Sequence, residues 1–451
     1  MAIHVMETKL SSGLFNAPAI REIFDEKSII EGWLFFEACL AEIQGELGII
    51  PRKAAEEIRL KASLDYVSID RIVEINKKVK LFSVATVRAL AEVCEGGAGE
   101  YIHYGSCSPE LGENTLARNI KKAMDVFEKD LEDIRQILNR LAIEHRYTVM
   151  VERTHGQQAL PTTFGFVAAI WSDAVSKNLE RFREARKRVL VGYLKGAAGT
   201  QAAHYAVSGE KCVELEKRMV ERLGLVYTPI SFHRHMDRLT EFMNLLTVLS
   251  VTFDKIFSDI FTQQRSEIGE LEEPFDTEHQ ISSSSLPQKR NPFYCETILA
   301  WCKKIRSNAA AFAETHMVEA HHRTGFHMED LIIPETCILV GSLLNGAKFI
   351  LEGLVVRKEV MKRNLDISRG LVMTEPLMLE LSKKTGRKQT AHAIIHKIAM
   401  EAFVNHMPFS ELILRNPEVR KYMTEAEIEG CLKPENHLGL VQKIIDAAVK
   451  P

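Results

Sequence analysis

The sequence predicts an all-α protein built around a central bundle of long helices. Helical periodicity, in which apolar residues recur every three or four positions, runs through five stretches, and several of them exceed the mean helix length about twofold. Strand signals are weak, because no alternating run of β-branched residues is bounded by hairpin turns. Long amphipathic helices of this kind pack into bundles. The stretches are residues 113–145, 161–190, 236–271, 293–320 and 330–357.

The first helix is predicted over residues 29–47. Trp33, Leu40 and Leu47 recur there every seven residues, which is two helical turns, so they share one face and form an apolar stripe. Gly48 follows the last of them, and glycine is a common residue just past a helix end. We therefore expect an amphipathic helix that ends before Gly48.

The chain divides into three predicted helical domains. Residues 1–104 form a small N-terminal domain, and residues 105–357 hold the long helices and a polar loop. Residues 365–451 combine shorter helices with turn signals such as Lys384-Thr385-Gly386. Each long helix has a wide apolar stripe to bury and the central part has little else to cover it. We therefore expect several copies to share one multi-subunit helical core.

The overall composition argues against several classes of protein. The 451 residues carry a net charge of −3, whereas nucleic-acid-binding proteins usually have a strong basic excess. We find no run of about 18 apolar residues that would predict a membrane span, and no basic start with an apolar core that would predict secretion. The eight cysteines are scattered, without metal-ligand spacing, as is typical of a reducing compartment. We expect a cytoplasmic protein that binds neither nucleic acid nor a membrane.

A polar segment at residues 281–292 interrupts the helical pattern. Four consecutive serines cannot bury a core face, and Pro287 and Pro292 disfavour a continuous helix. The hydroxyls, amides and two cations of the segment suit an anionic ligand, in particular a carboxylate. A plain surface linker would explain the same composition equally well.

The segment resembles the signature G-S-S-x-M-P-x-K-x-N-P of the fumarase/aspartase superfamily. It departs from the signature at Ser282, which replaces the glycine, and at Leu286, which replaces the methionine. The matching residues are Ser283, Ser284, Pro287, Lys289, Asn291 and Pro292.

The resemblance implies that Ser283 is the catalytic base, with Lys289, Asn291 and Ser284 as substrate-binding residues. In such an elimination the base removes a proton from the carbon beside a carboxylate. The negative charge that develops on the carboxylate oxygens is stabilised by fixed cations and N–H donors. A serine hydroxyl is a sufficient base only if nearby positive charge holds it close to the alkoxide form. A loop that closes over the substrate brings that charge near and excludes water.

A second polar segment, residues 153–165, precedes the helical stretch 161–190, and Pro161 suits the first turn of that helix. A lone histidine at such a position is often only a hydrogen-bonded helix-entry residue. The segment, however, resembles the superfamily pattern T-H-x-Q-x-A-x-P-x-T. The resemblance implies that His155 protonates the leaving group and makes Thr154 and Gln157 substrate-binding candidates.

The resemblance also implies a carboxylate partner for His155. In the superfamily, a glutamate seven residues after the signature lysine pairs with the catalytic histidine, and here that position is Glu296. A carboxylate there would fix the tautomer of the imidazole and raise its basicity. The alternative is an exposed glutamate in the first turn of a helix, where its charge is favourable.

A third segment, residues 103–115, resembles the superfamily pattern H-x-G-x-T-S, whose hydroxyls and N–H groups hold a substrate carboxylate. Ser108 matches the serine, whereas Cys107 replaces the usual threonine. The alternative is a polar turn before the next helix. Cys107 has no evident partner base, so we do not expect it to be a nucleophile. Residues 112–115, Gly-Glu-Asn-Thr, are similar to the G-D-N-T of some adenylosuccinate lyases.

The resemblance covers nearly the whole chain and points to the branch that contains carboxymuconate cycloisomerases and adenylosuccinate lyases. The stretch from His322 and Arg323 to Pro334 and Glu335 resembles the cycloisomerases. Adenylosuccinate lyases usually have a His-Asp pair where this chain has Leu81-Phe82, and their N-terminal Arg-Tyr pair is not visible. A nucleotide phosphate left without its cations would bind weakly, which favours a smaller polycarboxylate substrate.

The expected function is that of a lyase or cycloisomerase that works by β-elimination, or its reverse, on a succinate-like polycarboxylate. The resemblance implies a homotetramer whose active sites draw on three subunits, and proton transfer needs neither a metal nor an organic cofactor. Two alternatives are adenylosuccinate lyase itself and a non-catalytic helical protein that kept the fold, as lens crystallins have done.

Overall fold

Helices dominate the chain, and the all-α prediction is confirmed. The computed structural model describes residues 6, 8–11, 13–230, 237–315 and 324–449, with side chains in the last range from residue 327 onwards. His322 and Arg323 lie outside the described residues. Nineteen α-helices and three two-stranded sheets occur within these ranges.

The helices fall into three groups along the chain, with short strands between some of them. The N-terminal helices are α1 (Pro18–Phe24), α2 (Glu26–Glu46), α3 (Arg52–Lys61), α4 (Ile69–Val79) and α5 (Phe82–Val93). The middle helices are α6 (Ser108–Glu144), α7 (Phe164–Val189), α8 (Ala202–Ser208), α9 (Lys211–Arg222), α10 (Asp237–Gln263), α11 (Phe293–Glu314) and α12 (Thr324–Glu352). The C-terminal helices are α13 (Lys358–Leu365), α14 (Thr374–Thr385), α15 (Lys388–Val404), α16 (Phe409–Arg415), α17 (Pro417–Arg420), α18 (Glu425–Cys431) and α19 (Val441–Ala448). The strands are β1 (Val149–Thr154), β2 (Gln157–Thr163), β3 (Val191–Gly192), β4 (Val226–Tyr227), β5 (Leu271–Glu272) and β6 (Val355–Val356).

The five long helices α6, α7, α10, α11 and α12 lie where the periodicity predicts them. The third is shorter than predicted: it ends at Gln263, and the chain turns before entering β5. Within α10 the spacing of buried residues is helical, as an apolar stripe requires. These residues are at most 1% exposed: Leu239, Phe242, Leu246, Leu249, Phe253, Phe257 and Ile260.

The helix predicted over residues 29–47 is α2. It begins three residues earlier, because Asp25 caps it: the Asp25 side chain accepts a hydrogen bond from the Ser28 N–H at 2.7 Å. A cap of this kind stabilises a helix by about 1 kcal/mol. Gly48 stands just past the end with a φ of 66°, a left-handed conformation that glycine adopts without steric cost.

Two compact units emerge from the contacts of the chain. The first comprises residues 1–130, 178–251 and 301–345, and the second comprises residues 131–177, 252–300 and 346–451. A core among α2–α5 belongs to the first unit, with Leu34, Ile58 and Leu90 fully buried. A core among α14–α18 belongs to the second, with Leu377, Phe409 and Ile428 fully buried. The unit boundaries fall inside the long helices, and the division into three domains stays a prediction.

A β-hairpin stands where the sequence predicted a helix entry. Strands β1 and β2 pair in antiparallel register, and Pro161 lies in β2 opposite Val151 rather than in the first turn of a helix. Helix α7 begins only at Phe164. The weak strand signal and the placement of Pro161 were therefore misleading. Pro161 is tolerated because a two-stranded ribbon leaves an outer edge without partners, where a missing N–H costs nothing.

Local and tertiary effects both favour this hairpin. Its two turn residues, His155 and Gly156, have φ values of 53° and 75°, and the favoured two-residue hairpin turn requires positive φ at both positions. At the other end, Val151 is fully buried against Leu365 and Met373. Packing against a second apolar surface stabilises a ribbon that would be marginal alone.

Helix α12 is apolar enough over residues 327–352 to meet the length and composition of a membrane span. This differs from the sequence-based expectation that no stretch would do so. However, 61% of its most apolar window is buried inside the protein, and the helix carries Glu329, Asp330 and Glu335 in its first turns. These features are typical of the core helix of a bundle.

Candidate active site

The loop at residues 281–292 contains neither helix nor strand and is largely exposed. Ser283 is half-buried, and its Oγ accepts a hydrogen bond from the Leu286 N–H at 3.1 Å. An N–H that points at a hydroxyl oxygen favours the anionic form of that hydroxyl. Ser284 and Lys289 are exposed, and the structure records no side-chain hydrogen bond or ion pair for either of these two described residues. The loop thus leaves the Ser284 hydroxyl and the Lys289 ammonium open to a ligand.

Hydrogen bonds close the base of this loop. The Ser282 hydroxyl donates to the Lys289 carbonyl at 2.6 Å and accepts from the Asn291 N–H at 3.0 Å. The Asn291 side chain donates from Nδ2 to the Ser282 carbonyl at 2.6 Å. Asn291 therefore uses its backbone N–H and one N–H of its side chain within the loop, and Nδ2 retains its other N–H for a substrate.

An acidic run in and beside β5, residues 270–273, anchors the hairpin that carries His155. The Glu270 carboxylate is fully buried and accepts two hydrogen bonds from the Arg153 guanidinium, at 2.8 and 2.6 Å. The Asn364 side chain donates a third, at 2.8 Å. The register of the hairpin shifts between Glu152 and Arg153, and such a bulge re-aims a side chain.

The same acidic run anchors the loop and the start of α11. Glu272 accepts a hydrogen bond from Arg290 at 2.8 Å and also pairs with Arg357. The Arg290 guanidinium lies 5.5 Å from the centroid of the Phe275 ring, within the range of a cation–π contact.

Glu273 fixes the first turn of α11. Its carboxylate accepts from the Tyr294 and Cys295 N–H groups at 3.1 and 2.9 Å, two of the donors that a helix start leaves unpaired. Burial raises the pKa of Glu273 in spite of these donors. None of these glutamates was predicted from the sequence as a site residue. Four carboxylates within seven residues, Glu267, Glu270, Glu272 and Glu273, were the available signal.

His155 lies at the tip of the hairpin, in the turn between the strands. It is exposed, as are Thr154 and Gln157, which face each other across the turn. Glu296 is also exposed, in the first turn of α11. The structure records no hydrogen bond between the described side chains of His155 and Glu296, so their pairing stays a prediction. Both side chains are presented to the surface.

Ser108 is the first residue of α6 and is half-buried. The unpaired N–H groups of a helix start suit an anion, which fits the expected role of Ser108 in holding a carboxylate. Cys107 beside it is a poor nucleophile, because burial and the nearby Glu110 carboxylate raise the pKa of its thiol to about 12.

A buried glutamate that was not predicted from the sequence holds the turn before Ser108. Glu110 accepts hydrogen bonds from the Ser106 hydroxyl at 2.7 Å, the Cys107 N–H at 3.0 Å and the Gly196 N–H at 2.7 Å. The His204 ring lies 3.2 Å away. Burial would raise the pKa of Glu110, but His204 and the other donors outweigh burial and lower it. His204 is 94 residues away in sequence, so no local pattern signals this contact.

His103 belongs to the segment that resembles the superfamily pattern H-x-G-x-T-S, but the sequence did not predict it as a site residue. Its backbone N–H and ring Nδ1 lie 2.9 and 2.6 Å from the Glu37 carboxylate. Burial alone would lower the pKa of His103, but the Glu37 carboxylate outweighs burial and raises it.

A second buried carboxyl, Glu113, lies farther along α6. It is paired with Arg238 at 2.8 Å, and burial raises its pKa to about 7 against the influence of Arg238. Burial and the Glu113 carboxyl together raise the pKa of Glu329 well above its usual value.

Where adenylosuccinate lyases usually carry a His-Asp pair, the structure places an apolar surface. Leu81 is the N-cap residue of α5 and offers no side-chain hydrogen bond to the helix. Phe82 is 65% exposed. Within the described ranges, no group of three or more His, Cys, Asp or Glu side chains could hold a metal ion.

Comparison with known proteins decides the family. A lyase family matches residues 14–307, and an adenylosuccinate lyase C-terminus family matches residues 370–448. The chain belongs to the fumarase/aspartase superfamily. As a member of this superfamily it is an enzyme, a fumarase-type lyase.

Three similar superfamily members show the range of reactions around it. An adenylosuccinate lyase from Methanocaldococcus jannaschii is 41% identical over 100% of this chain and 96% of its own length. An N-acetyl-S-(2-succino)cysteine lyase from Dickeya dadantii is 34% identical over 100% of this chain and 98% of its own length. The crystal structure of 3-carboxy-cis,cis-muconate lactonizing enzyme from Pseudomonas putida has a TM-score of 0.89 at 28% identity and covers 98% of both chains.

Proposed function

We propose that the protein cleaves the bond between a heteroatom and the succinyl part of a small succinyl compound. The products are fumarate and the free amine, alcohol or thiol, and the reverse addition follows the same path. The names of the two lyase relatives support this proposal, because each describes a succinyl group attached to nitrogen or sulfur. The two named leaving groups, a nucleotide and a thiol, differ widely, so the superfamily signature specifies the succinyl half alone.

The residues predicted from the signature divide the elimination between them. Ser283 takes a proton from the carbon beside a carboxylate, while Lys289, Asn291 and Ser108 hold that carboxylate as negative charge develops on its oxygens. The electron pair of the broken C–H bond then forms the carbon–carbon double bond, and the bond to the heteroatom breaks. His155, oriented by Glu296, gives the leaving group its proton. Thr154, Gln157 and Ser284 complete the substrate contacts.

The observation that carries this proposal is the loop at residues 281–292. It is exposed, it presents the Ser283 hydroxyl to an N–H donor, and its Lys289 ammonium has no recorded internal partner among the described residues. A plain surface linker has no reason to combine, within twelve residues, a serine whose oxygen accepts an N–H and a cation without a recorded partner.

A small leaving group without phosphate is favoured by the surface at positions 81 and 82. An exposed Phe82 and an apolar N-cap residue offer neither a cation nor a hydrogen-bond donor to a phosphate. A phosphate needs charge-assisted hydrogen bonds to bind tightly.

The test is a substrate screen read by ultraviolet absorbance. N-acetyl-S-(2-succino)cysteine, N-succinyl amino acids, adenylosuccinate and carboxymuconate would each be given to the purified enzyme and to its Ser283→Ala variant. We expect a succinyl compound without phosphate to be the best substrate and the variant to lose nearly all turnover. Full activity of the variant would refute Ser283 as the base, and adenylosuccinate as the best substrate would refute the small leaving group.

Adenylosuccinate lyase is the second candidate function. It is favoured by the 41% identity over the whole chain and by the match of residues 370–448 to an adenylosuccinate lyase C-terminus. The adenylosuccinate arm of the screen decides between the two.

We also propose that the enzyme works as a homotetramer in the cytoplasm. Large apolar side chains remain exposed on the long helices, as expected of faces that another copy covers: Ile143, Ile170, Val251, Leu331 and Phe349. None of the eight cysteines, all of which lie within the described residues, forms a disulfide bond, which fits a reducing compartment.

Light scattering measures the subunit number, and mixing inactive variants tests the sharing of residues between chains. If the regions near Ser108, His155 and Ser283 meet across subunits, a mixture of Ser283→Ala and His155→Gln subunits regains part of the activity that each variant lacks. A monomer in solution, or a mixture without regained activity, would contradict this arrangement.

A further inference from the structure

The base of the signature loop contains an interaction that the superfamily signature does not provide. The signature has glycine where this chain has Ser282. Two of the three hydrogen bonds at the loop base use the Ser282 hydroxyl, one to the Lys289 carbonyl at 2.6 Å and one from the Asn291 N–H at 3.0 Å. Glycine could make neither of them. The third bond, from Asn291 Nδ2 to the Ser282 carbonyl, uses only the backbone of Ser282.

The stem of the loop that receives these bonds is itself fixed. Arg290 stands between the two residues that Ser282 contacts. It is held by Glu272 at 2.8 Å and lies against the Phe275 ring. The Ser282 hydroxyl therefore ties the first stem of the loop to an anchored second stem.

This tie, formed by the two hydrogen bonds of the Ser282 hydroxyl, restricts the positions that the residues at the tip of the loop can adopt. Ser283 follows Ser282 directly, and Lys289 carries the carbonyl to which the Ser282 hydroxyl donates. A six-residue tip, residues 283–288, lies between the two tied points. Two hydrogen bonds across such a short base remove much of the freedom of the tip, so Ser283 and the Lys289 backbone keep a fixed separation before substrate binds.

We propose that Ser282 is a positioning residue for the elimination: its hydroxyl joins the two stems of the loop and holds Ser283 in register with Lys289. The residue touches neither the substrate nor the reacting atoms. This inference rests on the proposed role of the loop in catalysis. It assigns to the Ser282 hydroxyl the task of compensating for the glycine hinge that this chain lacks.

Limited digestion with trypsin tests the tie without any substrate. Trypsin cleaves the peptide bonds after Lys289 and Arg290. The carbonyl of the first of these bonds, that of Lys289, accepts the hydrogen bond from the Ser282 hydroxyl. Because Ser282→Gly removes both hydrogen bonds of the hydroxyl, each worth about fivefold at a partly exposed site, we expect cleavage after Lys289 to be about 25-fold faster in this variant. Mass spectrometry identifies the cut. Ser285→Gly is the matched control, because Ser285 is exposed and has no recorded side-chain hydrogen bond among the described residues.

Steady-state kinetics with the best substrate of the screen test the consequence for turnover. We expect Ser282→Gly to lower kcat about tenfold, which corresponds to about 1.4 kcal/mol, and to leave KM within about twofold, since Ser282 makes no contact with substrate. Ser282→Thr keeps a hydroxyl and should restore kcat. A purely structural role would not produce this split between kcat and KM together with rescue by threonine.

Each outcome is decisive for one of the two proposals. Equal trypsin cleavage in wild type, Ser282→Gly and Ser285→Gly overturns the tie. Faster cleavage with unchanged kcat overturns the positioning role. A fully active Ser283→Ala variant overturns the proposed base, and the digestion still decides whether Ser282 holds the loop.

Discussion

Replacing Glu270 with glutamine is expected to loosen the hairpin that carries His155. The Glu270 carboxylate is fully buried and holds the Arg153 guanidinium at 2.8 and 2.6 Å, while Asn364 donates to it at 2.8 Å. Glutamine keeps the size of the side chain but removes its charge. It also turns an NH2 group toward a guanidinium and an amide that are themselves donors. The Arg153 charge would then lose the only partner recorded for it among the described residues.

The size of the effect follows from the burial of the pair. Removing one partner of a fully buried ion pair costs about 3–5 kcal/mol. The Arg153 side chain is 21% exposed, so water replaces part of the lost interaction, and we expect about 2–3 kcal/mol. At 1.4 kcal/mol per tenfold change, the hairpin should open roughly 30- to 150-fold more often.

Amide hydrogen exchange measures this local opening directly. Peptides that span residues 149–163 should exchange faster in Glu270→Gln in proportion to the more frequent opening, and kcat should fall because His155 is less often in place. Glu278→Gln is the matched control, since Glu278 is exposed and close in sequence. An Arg153→Gln variant and the double variant complete a thermodynamic cycle. Hairpin exchange within about twofold of wild type in Glu270→Gln would refute the anchoring role.

Three further predictions test other parts of the site. Replacing His155 with glutamine should lower kcat about 10²- to 10⁴-fold without changing the thermal midpoint, because the side chain is exposed and, in the proposed mechanism, serves only as an acid; a loss below tenfold would contradict this. Cys107→Ala should keep kcat/KM within about threefold, and Cys107 should resist iodoacetamide at pH 7.5, because the pKa of its thiol is about 12; rapid labelling there would contradict the burial argument. Glu113→Gln should gain stability over wild type as pH rises from 5 to 8. In the unfolded state the pKa of Glu113 returns to the ordinary glutamate value of 4.5, whereas in the folded state it is about 7. Between these two pH values the carboxyl is ionised only in the unfolded wild-type protein, so the free energy of unfolding of the wild type falls as pH rises. Thermal midpoints of wild type and Glu113→Gln, measured from pH 5 to pH 8, test this prediction. A difference between the two midpoints that does not change with pH would contradict it.

The periodicity of the sequence located the long helices because apolar residues must face a core at helical spacing, whatever that core contains. Helices α6 and α7 begin and end within a few residues of the predicted stretches, and α2 does the same. The ends of the helices were less predictable. Helix α10 ends at Gln263, for example, because the chain beyond it enters β5, which pairs with the distant strand β6. The loop at residues 281–292 was found because its composition cannot form a buried helix.

The hairpin at residues 149–163 could not be predicted from the sequence. Its strands are short, Pro161 pointed to a helix start, and the burial of Val151 depends on Leu365 and Met373, more than 200 residues away. The positive φ values of His155 and Gly156 give the turn its shape, yet His-Gly is not one of the residue pairs, such as Asn-Gly or Asp-Gly, that signal such a turn in a sequence. A local pattern carries no information about such distant partners.

Residue types and their spacing were enough to predict the helical class and the position of the polar loop. Through the resemblance they also assign the chemistry to Ser283, Lys289 and His155, and this assignment stays a prediction. Each of these depends on a single segment of the chain. The carboxylates that hold the site in place became visible only in the folded chain: Glu270 on Arg153, Glu272 on Arg290, and Glu110 beside His204. A buried charge is tolerable only beside its partner, and folding, rather than proximity in sequence, brings that partner into contact.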